Sequence, residues 1–247
     1  MIPCKLFYTS IFALLFFVIC TAEHASAQAP AVKLPRPSQK ASVMQTIGVT
    51  DVTIVYSRPG VKGRKSWGDA LPVQTAQGEA TLDNQNIRPK DAVIVPWGHV
   101  WRTGANEATQ FIVTDDVLIN GQPLKAGSYS LHTIPTPEEW TVIFNKDDGQ
   151  WGSFTYDEKK DALRVKAKPQ MATDNQEWLM YSFDPVTDNS AQVNIRWEKV
   201  RVPFTIEVKD VRAVTLEKAR AAVAAAKPDD ARTPLQAANY ALQNKDE

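Results

Sequence analysis

From Ala41 to Lys209, apolar side chains recur at every second position in short runs separated by turn residues, the spacing of strands that bury a face. No other feature restricts the fold as much. In AQVNIRWEK the residues Val193, Ile195 and Trp197 fall on one face, and in VRVPFTIEV so do Val202, Phe204, Ile206 and Val208. DVTIVYS sets Val52, Ile54 and Tyr56 against Thr53, Val55 and Ser57, two fairly apolar faces that predict an internal strand. The pattern returns in ATQFIVT, SYSLHTI, WTVIFN, WGSFTYD, ALRVKAK and EWLMYSF. VLI ahead of Asn120-Gly121 predicts a hairpin whose two central residues take positive φ. Pro203 belongs at an edge or a bulge, because it has no N–H to give to a ladder. Successive runs joined by short links without helical crossovers predict a mainly β chain, an antiparallel β-sandwich or barrel-like domain.

The ends of the chain differ in character. Lys5, the apolar run from Leu6 to Cys20 and the small residues Ala25-Ser26-Ala27 predict a signal peptide over 1–27, with the mature chain starting at Gln28. Thr9 and Ser10 break the run, which falls short of the about 20 apolar residues a membrane-spanning helix needs. Export to the periplasm or the medium is the expectation, with no membrane span after cleavage. Ile19 before Cys20 argues against a lipoprotein, whose cysteine follows a small residue. Both cysteines, Cys4 and Cys20, lie in the signal, so the mature chain must rely on its core. At this length the core can bury about 70 % of the unfolded surface. The 28 Lys and Arg match the 28 Asp and Glu, which gives no footing for a nucleic-acid partner. Proline-rich 28–40 predicts a flexible leader, 41–209 the β-rich domain, and 210–247 a helical tail in which Pro228 separates TLEKARAAVAAAK from LQAANYALQN. Polar, poorly periodic 72–90 predicts a long loop or insertion.

Several blocks are specific enough to compare as a set: YSRPGVKGRKSWG at 56–68, VWRTGANEAT at 100–109, AGSYSLHTIP at 126–135, WTVIFNKDDGQWGSFTYD at 140–157 and RWEKVRVPFTIEV at 196–208. Through them the stretch from Ala41 to Val208 resembles the bacterial domain of unknown function 2911, found in exported proteins. The resemblance implies location and a β-rich shape, and no activity, substrate or catalytic residue. The segment between Leu71 and Pro96 is longer than the usual link in that family, and the chain ends before the longer helical tail of some similar proteins.

Among constellations that carry chemistry, Trp101-Arg102-Thr103-Gly104-Ala105-Asn106-Glu107 sets an aromatic face, a guanidinium, an amide and a carboxylate around a glycine turn. Trp101 would stack on a sugar ring, Arg102 would grip a carboxylate or phosphate, and Asn106 would donate and accept. The bland alternative makes Arg102 and Glu107 an ion pair and Trp101 ordinary core. Arg58 and Arg64, with Lys62 and Lys65, make a basic loop around Gly60 and Gly63, either an anion cradle or a solvated turn. His132 falls on the more polar face of its strand, facing a cleft or simply hydrogen-bonded. Trp151 and Trp67, each followed by glycine, are candidates to flank a cleft. With no cysteine and only His99 and His132 in the mature chain, the sequence offers no metal or cofactor motif.

Three readings remain open. The first is a binding domain for a small polar or carbohydrate-like ligand. The second is a glycan hydrolase or lyase pairing Glu107 with Asp157 or Glu139. The third is a structural module that docks an envelope protein through its tail. When the full chain is expressed in an export-competent bacterium, intact-mass analysis of the exported product is expected to give a chain beginning at Gln28; retention of 1–27 would remove the signal-peptide reading.

Overall fold

The computed structural model describes residues 34–69 and 92–244, so the expected signal peptide and the 72–90 insertion lie outside the described residues. The chain runs through β1 (Gln39–Ile47), β2 (Thr50–Arg58), β3 (Trp67–Gly68), β4 (Val95–Pro96), β5 (Thr109–Val113), β6 (Val117–Ile119) and β7 (Gln122–Leu124). It continues through β8 (Gly127–Ile134), β9 (Trp140–Asn145), β10 (Asp161–Ala167), β11 (Gln170–Val186), β12 (Ser190–Glu207), α1 (Val211–Ala225) and α2 (Arg232–Gln243). A six-stranded antiparallel sheet has the order β1-β2-β5-β8-β9-β10, and a four-stranded one has β11-β12-β6-β7. A short parallel pair, β3 and β4, stands beside them. The sheets are not closed into a barrel, so of the two expected shapes the sandwich is the one that fits.

Alternation explains which faces meet. Val52, Ile54, Phe111, Val113, Leu131, Val142 and Phe144 from the larger sheet form one apolar cluster with Val193, Ile195, Trp197, Phe204 and Ile206 of β12. The hairpin at Asn120-Gly121 has φ of 46° and 79°, the positive pair that a two-residue reversal between twisted strands requires. Pro203 falls in β12 between its pairing with β11, which begins at Arg201, and its pairing with β6 at Ile206, where no ladder bond is asked of it.

Two features went unread in the pattern. β8 is buried on both faces from Tyr129 to Thr133, because residues 146–160 fold back over the outside of the large sheet, Gln150 reaching Ser130 and Ser153 reaching His132. Four of the other six tryptophans gather around Trp67, whose ring meets those of Trp97, Trp101, Trp140 and Trp197 with centroids 5.1 to 5.9 Å apart.

The expected helical pair is present after the sheets. Asp210 caps α1 by accepting from the Ala213 N–H, and Lys218 on α1 donates to the Val49 carbonyl and pairs with Asp115 at 2.6 Å. Gly48, at φ 61°, lets Val211 close on the β1–β2 turn; a Cβ there would lie 2.4 Å from a Val211 methyl. Leu235 and Leu242 of α2 are exposed. Among the described residues no helix is long and apolar enough to cross a membrane. Truncating fully buried Trp197 to alanine is expected to cost about 3–5 kcal/mol in denaturant unfolding, against at most about 0.5 kcal/mol for the exposed Met44→Ala; equal effects would mean that the core is misassigned.

Candidate functional site

The loop from Trp101 to Glu107 is fixed from the core outward. Trp101 exchanges two backbone hydrogen bonds with Thr133 of β8, and its indole N–H donates to the Gly104 carbonyl, curling the loop over its own ring. The Thr103 carbonyl accepts from the hydroxyls of Tyr181 and Thr109, both at 2.9 Å. Thr103 itself is held at φ 49°, which is unfavourable for a β-branched residue and is sustained by these bonds. Gly104 is packed so closely that a Cβ would come within 2.9 Å of the Thr109 hydroxyl and 3.2 Å of the Ser57 carbonyl. Asn106, at φ 60°, then turns the chain outward, its amide donating to the Ser38 carbonyl.

Glu107 follows, at the mouth of a cleft of about 270 Å³ on the outside of the large sheet, lined also by Lys40, Tyr56, Ser57, Gln110 and Gly149. One carboxylate oxygen pairs with Arg36 at 2.6 Å and the other is 3.4 Å from the Ser57 hydroxyl. Partial burial pushes the Glu107 carboxyl up, but the hydrogen bond from Arg36, helped by its charge and that of Lys40, outweighs this and holds the carboxyl below its ordinary value. Trp151 stands beside Glu107 because their backbones form an antiparallel bridge, with Ala108 N–H donating to Gln150 and Gly152 N–H to Asn106. Its ring is 54 % exposed, and the Arg36 guanidinium lies over it at 5.8 Å. Arg36 thus strings leader, carboxylate and ring together.

The other candidates lie elsewhere. Trp101 is only 4 % exposed and stacks on Trp197, so it is core and has no face for a ligand. Arg102 is partly buried one residue on, and the ion pair of Glu107 runs to Arg36 instead. Arg58 donates to the Leu179 carbonyl, and Arg64 to the carbonyls of Val61 and Gly60, so both guanidinium groups stitch the basic loop to itself and to β11. His132 opens on no cleft: the 146–160 cover buries it fully, with Ser130 at 3.1 Å from one ring nitrogen and Ser153 at 3.4 Å from the other. Asp157 caps the helical turn Glu158–Lys160, Glu139 pairs with Lys166, and neither lines the Glu107 cleft. Among the described residues no group of three or more His, Cys, Asp or Glu is placed to hold a metal ion.

Sequence reasoning missed Arg36, Lys40, Ser57 and Gln110. The outer-face alternation of β2 and β5 carries a signal for Ser57 and Gln110, but nothing local ties a leader arginine to a loop 71 residues away.

A family model described as "Protein of unknown function (DUF2911)" matches residues 38–206, more than half of the chain. No curated protein and no solved structure matches.

Because the Glu107 carboxyl is held below its ordinary 4.5, the stability its ion pair adds is complete above that value and is lost as pH falls through the lower, folded one. The pair is half-exposed, so Arg36→Ala is expected to cost about 0.2–1 kcal/mol near neutral pH and progressively less on acidification. Denaturant unfolding across pH for both proteins checks this, and a gap that widens toward acid would contradict it.

Proposed function

The chain belongs to this family of proteins of unknown function, and we propose that its domain is a non-catalytic module that binds a small polar, sugar-like ligand in the Glu107 cleft after export. The observation that carries the reading is one carboxylate set among Ser57, Gln110 and Lys40 with the exposed Trp151 ring at its side. Carboxylate, hydroxyl, amide and ammonium can pair with ring hydroxyls in both directions, while a tryptophan face takes the apolar face of a pyranose. Arg36 holds that place through contacts a ligand can replace, one exposed ion pair and one cation–π contact.

Glycoside chemistry has less support. It asks for a second carboxyl about 5 to 10 Å from the first across a substrate, and Asp157 and Glu139 are committed to a helix cap and an ion pair away from the cleft lining. The docking alternative rests on the exposed Leu235 and Leu242. Export to the periplasm or the medium remains part of this proposal and rests on residues 1–27 alone.

A thermal-shift screen of the mature protein against envelope monosaccharides and disaccharides, organic anions and divalent metals tests it, since a ligand that prefers the folded state raises Tm. A sugar is expected to give the shift, and Glu107→Ala or Trp151→Ala is expected to weaken it about 10-fold or more by calorimetry. No shift with any sugar, or a shift that both variants leave unchanged, would overturn the reading.

A further inference from the structure

The mouth of the Glu107 cleft already holds a cation, and the chain itself supplies it. The Arg36 guanidinium pairs with one Glu107 carboxylate oxygen at 2.6 Å and lies 5.8 Å from the centre of the Trp151 ring. An ionised carboxylate and an indole face both attract positive charge, and here they act on the same group. All three side chains are open to solvent: 47 % of Arg36 and 31 % of Glu107 are exposed, and Trp151 is exposed to 54 %. A molecule arriving from solution can therefore reach every contact that Arg36 now makes.

The partners differ in how they are held. Glu107 and Trp151 are joined by an antiparallel bridge, and the Gly152 N–H donates to the Asn106 carbonyl, so carboxylate and ring keep their spacing whatever lies on them. Arg36 stands ahead of β1 and reaches the place through the end of a long side chain. What takes its position is constrained by charge. The Glu107 carboxyl, held below its ordinary value, is ionised at neutral pH. A neutral ring that displaced Arg36 would leave this partly buried carboxylate without its counter-ion and offer only weaker hydrogen bonds in exchange. Lys40 acts on Glu107 less strongly than Arg36 and does not make good the loss.

We infer that the ligand of this cleft is an aminated sugar, whose protonated amino group takes the place of the Arg36 guanidinium on Glu107 while its apolar face lies on Trp151. The inference rests on the sugar reading of the same cleft and narrows it from polar sugars to cationic ones. Arg36 is then an internal stand-in for the amine, which the ligand displaces on binding.

Glucosamine, glucose and N-acetylglucosamine share a ring, and only the first carries a charge; ethylammonium carries the charge without the ring. The four are titrated into the purified protein at mildly acidic pH, where the amine is protonated and Glu107 still ionised. Glucosamine is expected to move the indole N–H signal of Trp151 and the side-chain N–H signal of Arg36, and to bind about 10-fold more tightly than the two neutral sugars. Added salt should narrow that gap. Glu107→Gln keeps the shape of the side chain and removes its charge, so it should erase the preference. Its melting curve reports whether it folds, and should it not, the comparison of sugars on the wild type decides the matter. Arg36→Ala removes the competitor and should tighten glucosamine binding by up to about 5-fold; weaker binding would make Arg36 part of the site and overturn the inference. Glucose bound as tightly as glucosamine would overturn it and leave the sugar reading standing. Ethylammonium bound as tightly as glucosamine would reduce the place to a bare cation site, and no binding by any sugar would leave it without a sugar at all; either result overturns the sugar reading together with the inference built on it.

Discussion

The ring of Trp67 is the constraint on which the rest of the molecule is built. It comes from a two-residue strand too short to hold itself, yet it touches Trp140 of β9 in the large sheet, Trp197 of β12 in the smaller one, Trp101 at the root of the candidate loop, and Trp97 beside β4. Offset and edge-on aromatic pairs add about 0.5–1.5 kcal/mol each beyond the area they bury. A chain with no cysteine after Cys20 can thereby lock two sheets and the β4–β5 connection through one side chain. The cluster also decides where irregular backbone is affordable: Thr103 and Glu198, both left-handed, each stand close in sequence to one of its members.

The large sheet has its own cover, and that cover is polar. Gln110 and Ser128 donate to the Asp148 carboxylate, Gln150 donates to Ser130, and Ser130 in turn meets His132, whose other ring nitrogen faces Ser153. At the far end burial pushes the Tyr156 phenol well up, and its hydroxyl donates a hydrogen bond to Asp161, so Tyr156 stays protonated and Arg164 closes the group. A network satisfied at so many points orders residues 146–160 against the strands. It is this order that carries Trp151 to the side of Glu107.

Most of the fold was legible because alternation is a local property. The inward faces of β2, β5, β9 and β12, the hairpin at Asn120-Gly121 and the two-part helical tail follow from residues close together in sequence. The site was half legible. Glu107 stood out as a carboxylate after a turn, whereas Trp101 was read from its chemical type, and an indole serves equally well as core or as ligand platform until its neighbours are known. His132 failed for a related reason: a polar outer face predicts solvent only when nothing folds over it. Arg36 was beyond any window, because the partner that gives it meaning is brought near by strand pairing and by no spacing along the chain.

The N-terminal approach to β1 is held to the body by Arg36 and by the Ser38 carbonyl, while the strands behind are secured by apolar packing. Tether and body therefore sit on different rungs of stability. The strap can lift with the sandwich intact, a sub-global opening that needs only the loss of a few solvent-facing contacts. The seating of the segment from Arg36 to Ser38 is thus a separate equilibrium from folding, set by what sits on Trp151 and Glu107 at a given moment.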